Sequence, residues 1–133
     1  MKLVLGLGCD RDTPLLTIET AVNQALAKIQ CPLTAVLKLA SIDKKQDEVA
    51  LLQFAENLGL EFIFYAAEQL AVVPVPSPSA VVMKYVGTPS VSEAAAILAA
   101  ATDMSALLLE KYKYKGADGK NATVSIVQMR EEI

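Results

Sequence analysis

The chain is 133 residues long with a net charge of −3, and 53% of its residues are hydrophobic against 20% charged. That composition excludes intrinsic disorder and a broad basic nucleic-acid face, and the length fits a single domain over residues 1–133 whose core needs no metal or disulfide staple. Histidine is absent, which removes Ser-His-Asp and Cys-His catalysis, histidine general bases and nearly all zinc and non-haem iron sites from this chain alone.

Leu3 to Leu7 is a continuous apolar run and predicts a buried strand. Gly8-Cys9-Asp10-Arg11-Asp12-Thr13-Pro14 reads as a turn, with Asp12 or Thr13 placed to cap the next helix and Pro14 in its first turn. Leu15, Ile18, Val22, Ala25, Leu26 and Ile29 recur at helical spacing, and Pro32 marks the exit. Leu33 to Ala40 predicts a second strand, Ser41 to Gln46 a polar loop, and Asp47 to Leu58 a second helix ended by Gly59 in a left-handed conformation. Leu60 to Tyr65 predicts a third strand.

Ala67 to Ala71 reads as a short helical turn, and Pro74, Pro76 and Pro78 punctuate an extended loop. Ser79 caps a short helix through Val81, Val82 and Tyr85 in this reading, broken at Gly87-Thr88-Pro89. Ser90 and Glu93 have the spacing of a capping box before an alanine-rich helix. Ser105 to Tyr112 and Ala122 to Met129 flank the turn Gly116-Ala117-Asp118-Gly119 as an antiparallel hairpin. The expectation is an α/β fold: three layers, α/β/α, around a mixed, mostly parallel five-stranded sheet that ends in the hairpin.

Cys9 and Cys31 are the only cysteines and form no CxxC pair, which fits free thiols in a reducing cytoplasm. The N-terminal apolar run is too short for a signal-peptide core, and no stretch of about 18 residues is apolar enough to span a membrane. A cytoplasmic protein with no nucleic-acid or membrane partner is expected.

Several segments offer sites, each with a plainer alternative. Gly6-Leu7-Gly8 begins a dinucleotide fingerprint whose third glycine would fall at Arg11, so a nucleotide site stands beside the simpler reading that the glycines permit the turn. Cys9 lies at a strand's carboxyl end, as either a ligand-facing thiol or a small buried residue. Lys44, Lys45, Asp43, Asp47 and Glu48 either meet an anionic ligand or form a self-neutralising helix start. Residues 87–93 offer free amides and hydroxyls that either cradle a carboxylate or merely cap a helix. Lys111, Lys113 and Lys115 share one strand face opposite Tyr112 and Tyr114, as a binding face or as protection of an edge strand.

Taken together, the glycine-cysteine turn at 6–13, SIDKKQDE at 41–48, Pro78-Ser79, GTPSVSEAAA at 87–96 and Lys111 before the final strand resemble the C-terminal domain of the cobalamin-biosynthesis protein CbiG and its stand-alone relative CobE. The resemblance covers about residues 3 to 129. It implies a role at the cobalt-precorrin-5A hydrolase step, where a lactone is opened and acetaldehyde released. The alternative it leaves open is a non-catalytic tetrapyrrole carrier of the same pathway. The implied ligand is a carboxylate-rich precorrin or cobalt-precorrin, with cobalt present only as part of the substrate and no resident cofactor. The implied partners are a separate N-terminal CbiG-like chain or other corrin-pathway enzymes.

On that resemblance, Gly8, Cys9, Arg11, Ser41, Lys45, Ser79, Gly87, Thr88, Ser90 and Lys111 would bind the ligand. Glu48 and Glu93 would be the candidate general bases, with amides near Thr88 as an oxyanion hole. Two positions depart from the family's pattern: Asp10, where a basic residue is common, and Asp12, where glycine is common.

Overall fold

The computed structural model describes residues 1–75 and 91–129. The short helix expected from Ser79 through Tyr85, its break at Gly87-Thr88-Pro89 and the Ser90 cap, and with them the site residues Ser79, Gly87, Thr88 and Ser90, lie outside the described residues.

Strand β1 (Leu3–Cys9) pairs in parallel with β2 (Val36–Ile42), and β2 in parallel with β3 (Glu61–Tyr65). The hairpin strands β4 (Leu107–Lys115) and β5 (Asn121–Gln128) are antiparallel, and β5 inserts beside β1 in antiparallel register, Gly6 opposite Ser125. The sheet order is β3-β2-β1-β5-β4, so β5 alone runs against the other strands.

Helices α1 (Leu15–Lys28) and α2 (Val49–Leu58) cover one face. Alternation along the strands sends Leu3, Leu5 and Leu7 to that face, where they meet Ile18, Val22 and Leu26 of α1 and Leu51 and Phe54 of α2. The intervening residues face a second core, in which Val4, Ala40, Ile42 and Val127 pack against Leu70 of α3 (Ala67–Ala71) and the alanines of α4 (Val91–Ala99). These three layers are the expected architecture.

The boundaries differ in instructive places. Gly8 and Cys9 continue β1, and the connection begins only at Asp10. Neither Asp12 nor Thr13 caps α1: Pro14 holds the N-cap position with extended backbone and no side-chain bond, while the Thr13 hydroxyl donates to the Asp10 carbonyl at 2.7 Å. Residues 33–35 form a 3-10 turn before β2, and Ser41 and Ile42 extend that strand. Gly59 ends α2 at φ 65°, as its glycine predicts, and the Leu60 amide reaches back to the Ala55 carbonyl at 3.0 Å.

Gly6 has a reason the turn reading did not supply. A Cβ placed there would lie 1.7 Å from the Ser92 carbonyl oxygen, so only glycine lets the start of α4 press against β1. Ala94, Ala95 and Ala96 are all fully buried, which continues the same close approach along the helix.

Candidate functional site

Parallel pairing of β1 with β2 brings two carboxyl ends to one edge of the sheet, where ligands of open α/β sheets bind. The loop after β1 therefore meets the turn after β2. Ser41 locks this arrangement from inside: it is fully buried, and its hydroxyl donates to the Leu7 carbonyl at 2.6 Å.

Glu48 is the centre of the edge. It is 2% exposed and sits at the N-cap of α2. The Arg11 guanidinium reaches its carboxylate at 2.8 Å, the Asp12 amide donates to it at 3.2 Å, and the Cys9 thiol donates to Oε2 at 3.6 Å. A carboxylate taken this far out of water stays charged only with such partners. Arg11 also grips Asp47 with both terminal nitrogens, Nη1 at 2.7 Å and Nη2 at 2.8 Å. Hydrogen bonding to that guanidinium holds the Asp47 carboxyl below its usual range. The acidic start of α2 is thus paired chiefly with an arginine from the neighbouring loop, and Lys45 adds a smaller electrostatic pull on Asp47.

Burial pushes the Cys9 thiol up from 9.0 to about 11; Lys45 pulls it down electrostatically and the Glu48 carboxylate pushes it up. Lys45, half-buried in the 3-10 turn at 43–45, therefore belongs to this edge. A thiol so protonated is a hydrogen-bond donor, not a nucleophile. A groove of about 280 Å3 opens beside Glu48, lined by Asp12, Thr13, Pro14 and Leu15 on one wall and Val49, Ala50 and Gln53 on the other.

Both departures from the family's pattern have structural readings. Asp12 adopts φ 59°, the left-handed region that favours glycine and that aspartate tolerates better than most residues. The Asp10 carboxylate accepts from the Asn121 amide at 2.7 Å, which ties the loop to the start of β5.

Glu93 and Lys111 stand elsewhere. Glu93 is fully buried on α4, against the opposite face of the sheet, with Lys111 Nζ 3.8 Å from its Oε1. Beside it the Ser92 and Ser125 hydroxyls pair at 2.8 Å. Lys111 thus points to the α4 face while Tyr112 and Tyr114 pack on the other, the alternation expected of the edge strand β4. Gly8, opposite Thr123, has room for a Cβ at ordinary contact distance and is not sterically required. Of the predicted site residues within the described segments, Cys9, Arg11, Lys45 and Glu48 stand at one place and Glu93 and Lys111 at another, while Ser41 and Gly8 serve the strands behind the first group. Sequence reasoning missed the Arg11–Asp47 pair, although the expected parallel crossover already put residues 11 and 47 at one edge. It also missed the contact that needs Gly6.

Among the described residues no cluster of cysteine and carboxylate side chains is arranged to hold a metal ion, and no helix is long and apolar enough to cross a membrane.

Residues 3–127 match the family model described as cobalamin synthesis G C-terminus. This chain belongs to that family. It is 37% identical over 124 residues to a cobalt-precorrin-5A hydrolase of Priestia megaterium, covering 93% of this chain and 31% of the hydrolase. Against the protein CobE of a Sinorhizobium species it is 32% identical over 111 residues, 82% of this chain and 71% of CobE. A crystal structure of CobE, described as a protein from the cobalamin (vitamin B12) biosynthetic pathway, superimposes with a TM-score of 0.78 at 29% identity, covering 98% of this chain and 93% of that one. The family is one of cobalamin biosynthesis, and this member spans less than a third of the Priestia hydrolase. Within the family's fold, Cys9, Arg11, Lys45 and Glu48 share one edge, and the groove beside Glu48 opens between the starts of α1 and α2.

Proposed function

We propose that this cobalamin synthesis G C-terminal domain binds a precorrin-type tetrapyrrole through the ligand's peripheral carboxylates, and serves the lactone-opening, acetaldehyde-releasing cobalt-precorrin-5A hydrolase step together with a partner polypeptide. The observation that carries this reading is the family match across residues 3–127, joined to Arg11 and Lys45 at the carboxyl edge of β1 and β2. The groove supports contact with one rim of such a ligand, because sites that enclose even a drug-sized molecule run to about 300–1,000 Å3. Arg11 and Lys45 supply the cations, and cobalt enters as part of the substrate, with no resident cofactor invoked.

The geometry favours a positioning role for Glu48 over that of a general base. Both of its oxygens are engaged and the side chain is buried, so its use as a base would strip Arg11 of its anchor. Glu93 is buried on the far face from this edge. Hydrolysis requires a base for water and a hole for the oxyanion, and the longer hydrolases have more than two-thirds of their length outside the matched region in which to carry them.

Purified protein incubated with cobalt-precorrin-5A tests the proposal. The expected result is a saturable change in the tetrapyrrole absorbance with this domain alone, and acetaldehyde only when a polypeptide carrying the remaining hydrolase regions is added. Lys45→Ala is expected to weaken binding more than Lys111→Ala. Absence of binding in every combination would overturn the proposal, and acetaldehyde release by the domain alone would overturn the division of labour.

A further inference from the structure

The geometry points to Asp47 as an internal stand-in for a ligand carboxylate, occupying the Arg11 fork that a tetrapyrrole side arm takes on binding; this rests on the tetrapyrrole reading above. Arg11 faces two carboxylates that are not equivalent. Glu48 is 2% exposed and further held by the Asp12 amide and the Cys9 thiol, so it is a fixed anchor. Asp47 is 66% exposed and fills both terminal nitrogens of a guanidinium that is itself 55% exposed. Bidentate seating of a planar carboxylate is the arrangement a guanidinium makes best, and an acetate or propionate arm presents the same group.

Energetics decide which partner yields. Breaking the Glu48 contact leaves a buried charge uncompensated, whereas an exposed ion pair contributes little and returns its carboxylate to water on release. Exchange therefore occurs at Asp47: the ligand carboxylate takes the fork, Asp47 swings into solvent, and the guanidinium stays aimed by Glu48. No proton moves, and the count of charges at Arg11 is unchanged. Two consequences follow. In the empty state the fork is pre-shaped for a carboxylate, which lowers the ordering cost of binding. Asp47 also lowers affinity by competing, and so selects ligands that bring additional carboxylates to bind elsewhere on the edge.

Titration with uroporphyrin III, an octacarboxylated tetrapyrrole, at fixed ionic strength is the test, with melting curves run alongside to verify folding. Asp47→Asn is expected to tighten binding about twofold to fivefold, the size of an exposed ion pair. Arg11→Gln is expected to weaken it, and to remove the gain when combined with Asp47→Asn. Asp12→Asn is the control for charge alone, since Asp12 acts on Arg11 through space without filling its fork. Wild-type binding with no gain from Asp47→Asn, or an equal gain from Asp12→Asn, would overturn the inference and leave the tetrapyrrole reading standing. Failure of the wild type and every variant to bind would overturn both.

Discussion

Cys9 lies between a cation and an anion, and its chemistry is set by which of them it touches. Its thiol donates to Glu48 and is held near pKa 11 chiefly by burial, so only about one molecule in ten thousand carries thiolate at pH 7. In a Cys31→Ser background, Glu48→Gln is expected to speed iodoacetamide labelling of Cys9 and Lys45→Met to slow it, both read by mass spectrometry. Equal rates would contradict the electrostatic arrangement. The same shift predicts a pH dependence. The unfolded thiol ionises near 9.0 and the folded one near 11, so its contribution is fully present below pH 9 and lost as pH rises through 11. The melting temperature of the wild type should therefore fall more steeply than that of Cys9→Ala across this window. Asp12 offers a second residue-scale test. Its φ of 59° favours glycine, and Asp12→Gly keeps the amide that Glu48 accepts from. A gain of up to about 1 kcal/mol is expected, measured by chemical denaturation, while Asp12→Val should cost at least as much.

At the scale of elements, hydrophobic spacing made most of the fold legible before any coordinates. The Leu3–Leu7 run, the Ile18-Val22-Leu26 stripe, the glycine at 59 and the turn at 116–119 are local signals, and each element they imply is present. What these signals could not carry was which partner each polar or small residue takes. Thr13 looks like a cap because its type favours caps, but its hydroxyl turns back to Asp10 to shape the loop under Glu48. Polar Ser41 reads as loop, yet the Leu7 carbonyl gives its hydroxyl a partner inside the sheet and β2 runs on. Gly6 looks like part of a turn until α4 is seen against it. Gly6→Ala is expected to destabilise by about 3 kcal/mol or more, because a backbone carbonyl rather than a flexible side chain must move. Ser41→Ala should cost only about 1 kcal/mol, the usual worth of one buried hydrogen bond. Denaturation midpoints that reversed this order would place the critical contact at the wrong element.

For the molecule as a whole, the sheet separates two groups of charges, one drawn from residues 11–48 and the other from residues 93 and 111. The Arg11–Glu48–Asp47 system occupies the α1/α2 side of the sheet edge, and the buried Glu93–Lys111 pair lies beneath α4. Their placement on opposite faces comes from the fold, because alternation along a strand sends even neighbours such as Gly8 and Cys9 to opposite faces. With no histidine, the chain lacks the side chain that most readily moves protons near neutral pH, and the proposed site would instead recognise carboxylates through arginine and lysine. In the proposed function, the Arg11 edge of this family member holds a carboxylate-rich tetrapyrrole. The most direct test of that function is the affinity of wild type and Arg11→Gln for cobalt-precorrin-5A, measured on proteins whose melting curves show both to be folded. Saturable binding by the wild type is expected, with binding at least about fivefold weaker in the variant, the loss of one charge-assisted bidentate contact. No binding by the wild type, or equal affinity in the two proteins, would contradict it.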